Sequence, residues 1–89
     1  STTERDRSQL RQARRDVESA EQRVARAEAR VAELTTAMED PALYTQPDGV
    51  ARAAELGRQL EAARATLDEA LAEWTRAEER VEALVAASA

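Results

Sequence analysis

The chain has 89 residues with 13 Lys+Arg, all of them Arg, against 18 Asp+Glu, and it contains no His, no Cys and no Phe. Without His or Cys there is no Ser-His-Asp or Cys-His nucleophile arrangement, no zinc site of the usual nitrogen and sulfur type, and no disulfide framework. Of the hydrophobic residues 21 are Ala, leaving 17 larger apolar side chains, too few for a conventional globular core. At this length a chain buries only about 60% of its unfolded surface. The excess of Ala, Glu, Leu and Arg with little Gly or Pro is the composition of long helices or coiled coil. No apolar stretch approaches the roughly 20 residues of a membrane span, and no secretory signal is present. An intracellular, cytoplasmic setting is therefore expected.

Gly and Pro cluster in one place, Pro41, Pro47 and Gly49; Gly57 stands alone. The chain thus reads as a single all-α domain over 1–89: a helix over about 3–39, a tip connector over about 40–46 and a second helix over about 47–86. At 1.5 Å per residue each helix is about 55 Å long.

In the first helix Leu10, Val17, Val24, Val31 and Met38 recur at heptad spacing, with Ala13, Ala20, Ala27 and Leu34 three positions later. This is an a/d seam. The second helix repeats it, with Leu60, Leu67, Trp74 and Val81 at a, and Leu56, Ala63, Ala70, Ala77 and Leu84 at d. Both seams alternate large residues with Ala, so the fold expected is an antiparallel coiled-coil hairpin. The preferred register sets Leu10 against Leu84, Ala20 against Trp74, Val31 against Ala63, Leu34 against Leu60 and Met38 against Leu56. It also brings Arg14 near Glu78, Glu28 near Arg64, Asp16 near Arg80 and Arg23 near Glu73, whereas a register one heptad shorter sets Asp16 beside Glu73. Each exposed pair contributes about 0–1 kcal/mol. Burial, at roughly 1.5–3 kcal/mol per large apolar side chain, supplies the stability.

In the connector, Asp40 is suited to cap a short turn with Pro41 at its first position. Pro47 is expected to open the second helix in the same way, with Asp48 favourable at its positive end. Leu43 and Tyr44 are expected to fold back over Val50 and Ala53 and close the tip. Trp74 reads as a core anchor over Ala20, its indole N–H reaching the edge of the seam. Gly57 marks either a close helix contact or a tolerated cost.

No phosphate-binding glycine loop is present, and the carboxylates lie on solvated helix faces, so the isolated domain is expected to be non-catalytic, with no catalytic, cofactor-binding or metal-binding residue. The charge is uneven: residues 1–31 hold eight Arg against six acids, and residues 32–89 five Arg against twelve. Arg7, Arg11, Arg14 and Arg15 share one end of the hairpin with Arg76 and Arg80, which makes these six the candidate nucleic-acid contacts. Interleaved acids make a salt-bridged face the competing reading.

Asp40-Pro41-x-Leu43-Tyr44 at the tip, a second Pro soon after, and then Leu56, Leu60, Leu67 and Trp74 in the returning helix resemble the C-terminal coiled-coil domain of ABC-F ATPases, the tandem ATP-binding-cassette proteins of the Uup type. The resemblance runs from roughly Arg11 to Leu84. It implies an accessory module of a larger cytoplasmic protein whose two ATPase domains precede it and bind the ATP, with no cofactor in this chain. Members of that family act on ribosomes and translation, and some protect ribosomes from antibiotics. The resemblance therefore implies ribosomal RNA, tRNA or DNA as partners beside the parent ATPase domains. A second reading is a protein-interaction or self-associating hairpin, monomer or weak homodimer, paired through Ala25, Ala29, Ala32, Ala65 and Ala72. A third is a coiled-coil arm of an aminoacyl-tRNA synthetase.

Overall fold

Thr3 starts the first helix by a reciprocal capping box. Its hydroxyl accepts from the Asp6 N–H at 3.1 Å, and the Asp6 carboxylate accepts from the Thr3 N–H at 3.1 Å. The computed structural model describes residues 3–88; residues 1, 2 and 89 of the expected single domain lie outside the described residues. Helix α1 spans Glu4–Glu39 and helix α2 spans Gly49–Ala87. They run antiparallel as a hairpin measuring 69 × 14 × 14 Å. Along their exposed faces Arg7 pairs with Glu4 at 3.2 Å, Arg58 with Glu55 at 2.8 Å and Arg64 with Glu61 at 3.7 Å, each one helical turn apart with the acid N-terminal to the base.

The seam follows the heptads. Ala13, Ala20, Ala27 and Leu34 are buried on α1, and Leu60, Ala63 and Ala70 on α2. Leu34, Leu60 and Ala63 form one cluster with Val31, Met38 and Leu56 packed against it, which is the register set by the Leu34–Leu60, Val31–Ala63 and Met38–Leu56 layers. Carried along the pair, the same register stands a large side chain over nearly every Ala. That is why Ala20, the residue expected beneath Trp74, is fully buried.

The tip follows the expectation at Asp40, Pro41 and Leu43 and departs from it at Tyr44, Pro47 and Asp48. Asp40 is extended, as the residue before a proline prefers, and this ends α1. Its carboxylate caps the short 3-10 turn Pro41–Thr45 by accepting from the Ala42 N–H at 2.9 Å. Pro47 does not open α2. Gln46 to Gly49 make a β-turn closed by the Gly49 N–H donating to the Gln46 carbonyl at 3.0 Å. Pro47 takes its second position, and Asp48 the third with φ −97 and ψ 12, as in a type I turn. The helix begins only at Gly49, and the Asp48 side chain makes no cap hydrogen bond. Leu43 is buried as the plug of the tip, but Tyr44 does not lie over Val50. Tyr44 is 59% exposed and turns back to α1, its hydroxyl donating to the Met38 carbonyl at 2.8 Å, while Val50 is 87% exposed. A phenol finds its hydrogen bond at the frayed carbonyls of a helix end, which α1 offers and the first turn of α2 does not.

Candidate nucleic-acid interface and the two edges of the hairpin

Two helices leave two long edges, and the structure distributes the candidate arginines between them. On one edge an open groove of about 310 Å³ is lined by Glu21, Val24, Leu71 and Trp74. On the other a groove of about 400 Å³ is lined by Arg23, Arg26, Arg30 and Thr66 among others, with Glu69 and Glu73 facing them. Heptad steps from these residues place the rest. Arg14 and Arg7 continue the line of Glu21, whereas Arg76 and Arg80 continue that of Glu69 and Glu73. The six arginines singled out in the sequence therefore share the terminal end of the hairpin but not an edge: Arg7, Arg11, Arg14 and Arg15 form one face of α1, and Arg76 and Arg80 face away from it on α2.

Their electrostatic states differ. Glu4 holds Arg7 at 3.2 Å and Arg11 at 3.0 Å, and these two guanidinium groups keep the Glu4 carboxyl below the usual carboxylate range, Arg11 contributing most. Arg15 donates to the Gln12 side-chain oxygen at 2.8 Å. Among the described residues Arg14, Arg76 and Arg80 make no ion pair, and neither does Arg26 in the second groove. Of the four cross-helix pairs expected, Arg23–Glu73 forms at 3.1 Å. The others do not close: Arg64 takes Glu61 on its own helix, Asp16 accepts from Gln12 at 3.0 Å, and Arg14 pairs with no acid among the described residues. Arg30 crosses instead to Gln59 at 3.1 Å and pairs along α1 with Glu33 at 3.5 Å.

The Arg23, Arg26 and Arg30 row was not singled out in the sequence, although its spacing, three and then four residues, puts all three on one face. Nor was Leu71, an apolar residue at an edge position where a charge is usual, 41% exposed. Trp74 anchors the seam only in part, and its indole N–H does not reach water: Nε1 is buried without a hydrogen-bond partner, while the ring lines the groove with Val24 and Leu71. Of the tip residues Asp40, Pro41, Leu43 and Tyr44, Asp40 caps the turn, Leu43 is buried with its carbonyl against Gly49 of α2, and Tyr44 bonds back to α1. No group of three acidic, His or Cys side chains poised for a metal occurs among the described residues, and no helix of the described chain is long and apolar enough to cross a membrane.

A thin charged hairpin closed by a plugged tip, with arginine rows outside and an alanine seam inside, defines an antiparallel coiled-coil hairpin. Residues 9–84 match the ABC transporter C-terminal domain, and the chain belongs to that family. No curated protein and no solved structure matches it. The chain is therefore a C-terminal helical-hairpin domain of ABC-type proteins, and an accessory rather than a cassette domain of such a protein.

Proposed function

We propose that this domain is the non-catalytic arm of an ABC-F ATPase of the Uup type, a cytoplasmic protein whose cassettes bind ATP, and that the arm contacts nucleic acid, whether ribosomal RNA, tRNA or DNA. The family match over 9–84 supports the accessory role. The Asp40-Pro41-x-Leu43-Tyr44 tip with Trp74 late in α2 supports the subtype. The observation that carries the contact is the α1 face of Arg7, Arg11, Arg14 and Arg15: four guanidinium groups within about two and a half turns, with Arg14 left outside any ion pair. Guanidinium rows on a helix bind phosphate oxygens by displacing condensed counterions, so the net charge of −5 does not oppose a local contact screened beyond about 10 Å.

Fluorescence anisotropy with labelled duplex DNA and with tRNA tests this reading. Affinity is expected to fall steeply between about 50 and 200 mM salt, and Arg14→Ala with Arg15→Ala to lower the slope of log K against log salt by roughly one each. Arg76→Ala with Arg80→Ala, on the opposite edge, is expected to leave that slope unchanged. An absence of binding at low salt rejects the contact while leaving the family assignment intact.

A further inference from the structure

A single exposed leucine needs no explanation; the company Leu71 keeps does. On the edge of the 310 Å³ groove, α2 presents Gly57, Arg64, Leu71, Glu78 and Val85 at heptad steps, with Leu71 41% and Val85 45% exposed. From the centre outward this series is complementary to its own reverse. Rotating a copy of the chain about a two-fold axis at Leu71, so that α2 lies antiparallel to α2, sets Leu71 on Leu71, each Arg64 on Glu78 and each Val85 over Gly57, where there is no side chain to meet it. Across the seam on α1, Glu21 stands level with Leu71, and Arg14 and Glu28 flank it one heptad to either side. The same rotation sets each Arg14 on Glu28. Among these edge positions the like-charge contact is Glu21 with its own copy, on the axis.

We propose that a second copy of this chain docks antiparallel on the Glu21–Leu71 edge, its Leu71 seated beside the first in the joined Val24–Trp74 grooves. An isologous contact of this kind needs one patch to be complementary to itself, and the palindromic charges meet that requirement. The alternative pairing, with the two rods parallel and each α1 lying over the other copy's α2, also sets opposite charges together, but it parts the two Leu71 side chains and seats each on a Glu21 carboxylate, so the apolar contact is lost. This edge is distinct from the alanine surface of Ala25, Ala29, Ala32, Ala65 and Ala72, which is exposed but carries no large apolar residue. The inference does not rest on the nucleic-acid reading. The contact is small, so association belongs to high protein concentration.

Because the chain holds no cysteine, Leu71→Cys introduces a single thiol on the proposed axis. With both thiols brought within disulfide reach, oxidation at about 0.2 mM protein is expected to give the covalent dimer roughly tenfold faster than for Ala72→Cys on the outer face. Sedimentation equilibrium of the cysteine-free chain supplies the second arm. Leu71→Glu and Arg64→Glu are each expected to shift the chain toward monomer with unchanged helicity, and Arg64→Glu with Glu78→Arg to restore the dimer. Equal cross-linking rates for the two thiols, a wild-type chain that stays monomeric up to about 1 mM, or a charge-reversed double variant that stays dissociated would overturn the proposal. The last outcome singles out the parallel pairing, in which the double reversal sets like charges together: the acid introduced in place of Arg64 meets Glu28, and the base introduced in place of Glu78 meets Arg14.

Discussion

One methyl group separates the two glycines of the chain. At Gly57 a Cβ would meet only the Met38 Cε at 3.9 Å, an ordinary contact, so this glycine is a tolerated cost within α2 and not a close approach of backbones. Gly57→Ala is expected to stabilise the hairpin by about 1 kcal/mol. At Gly49 a Cβ would run into the Leu43 carbonyl oxygen, a backbone atom that can move only if the tip turn opens. Gly49→Ala is expected to destabilise by about 1–3 kcal/mol, in the range of strain from overpacking. Thermal melts followed by circular dichroism check both, and the signs should be opposite although the substitution is the same. The sequence alone could not separate them: both are glycines near a seam position, and only the course of the 3-10 turn brings a carbonyl to one of them.

At the scale of the elements, the helices were legible and their ends less so. Heptad spacing found Ala13, Ala20, Ala27 and Leu34, every one of them buried, because burial along a helix follows from periodicity. The start of α2 depends instead on the dihedral angles of Asp48 and on a turn hydrogen bond, which composition does not specify, so Pro47 fell outside the helix it was expected to open. The candidate arginines were found, but not their division between edges, which needs the register and the heptad phase together. The capping box of α1 is open to a direct test. The Thr3 N–H, foremost, and other contacts with Thr3 hold the Asp6 carboxyl below its ordinary range. A carboxyl depressed in the folded state adds stability above its unfolded pKa, and that stability is lost as pH falls through the folded value. Titration of the Asp6 carboxyl carbon by NMR should give a midpoint below that of an unstructured aspartate, and Thr3→Ala should move it upward while shortening α1 at its N-terminus. Glu55, held down chiefly by Arg58, should titrate low in both proteins.

The molecule as a whole is a rod. Its Cα radius of gyration is 19.9 Å, whereas a compact chain of this length would have about 12 Å. Small-angle scattering at low concentration should return a value close to that of the rod, and a value near the compact one would reject the hairpin. Such a thin shape leaves little room to enclose a ligand: the grooves of about 400 and 310 Å³ lie open along its edges, and its interior is a seam of alanines and larger apolar residues. Function on this scaffold is therefore a matter of surface and reach, carried by arginine rows and edge residues and not by a pocket.

The alanine seam and the plugged tip have a mechanical consequence. Neither helix contains a proline, the usual cause of a sharp kink, and the turn that joins the helices is pinned by Leu43, Asp40 and the Tyr44 hydroxyl. A rod held at one end is a lever, and with a 69 Å extent a tilt of about 10° at the held end sweeps the free end through roughly 12 Å. Small rotations of whatever body carries this hairpin would thus arrive at its far end as displacements of about the width of a helix.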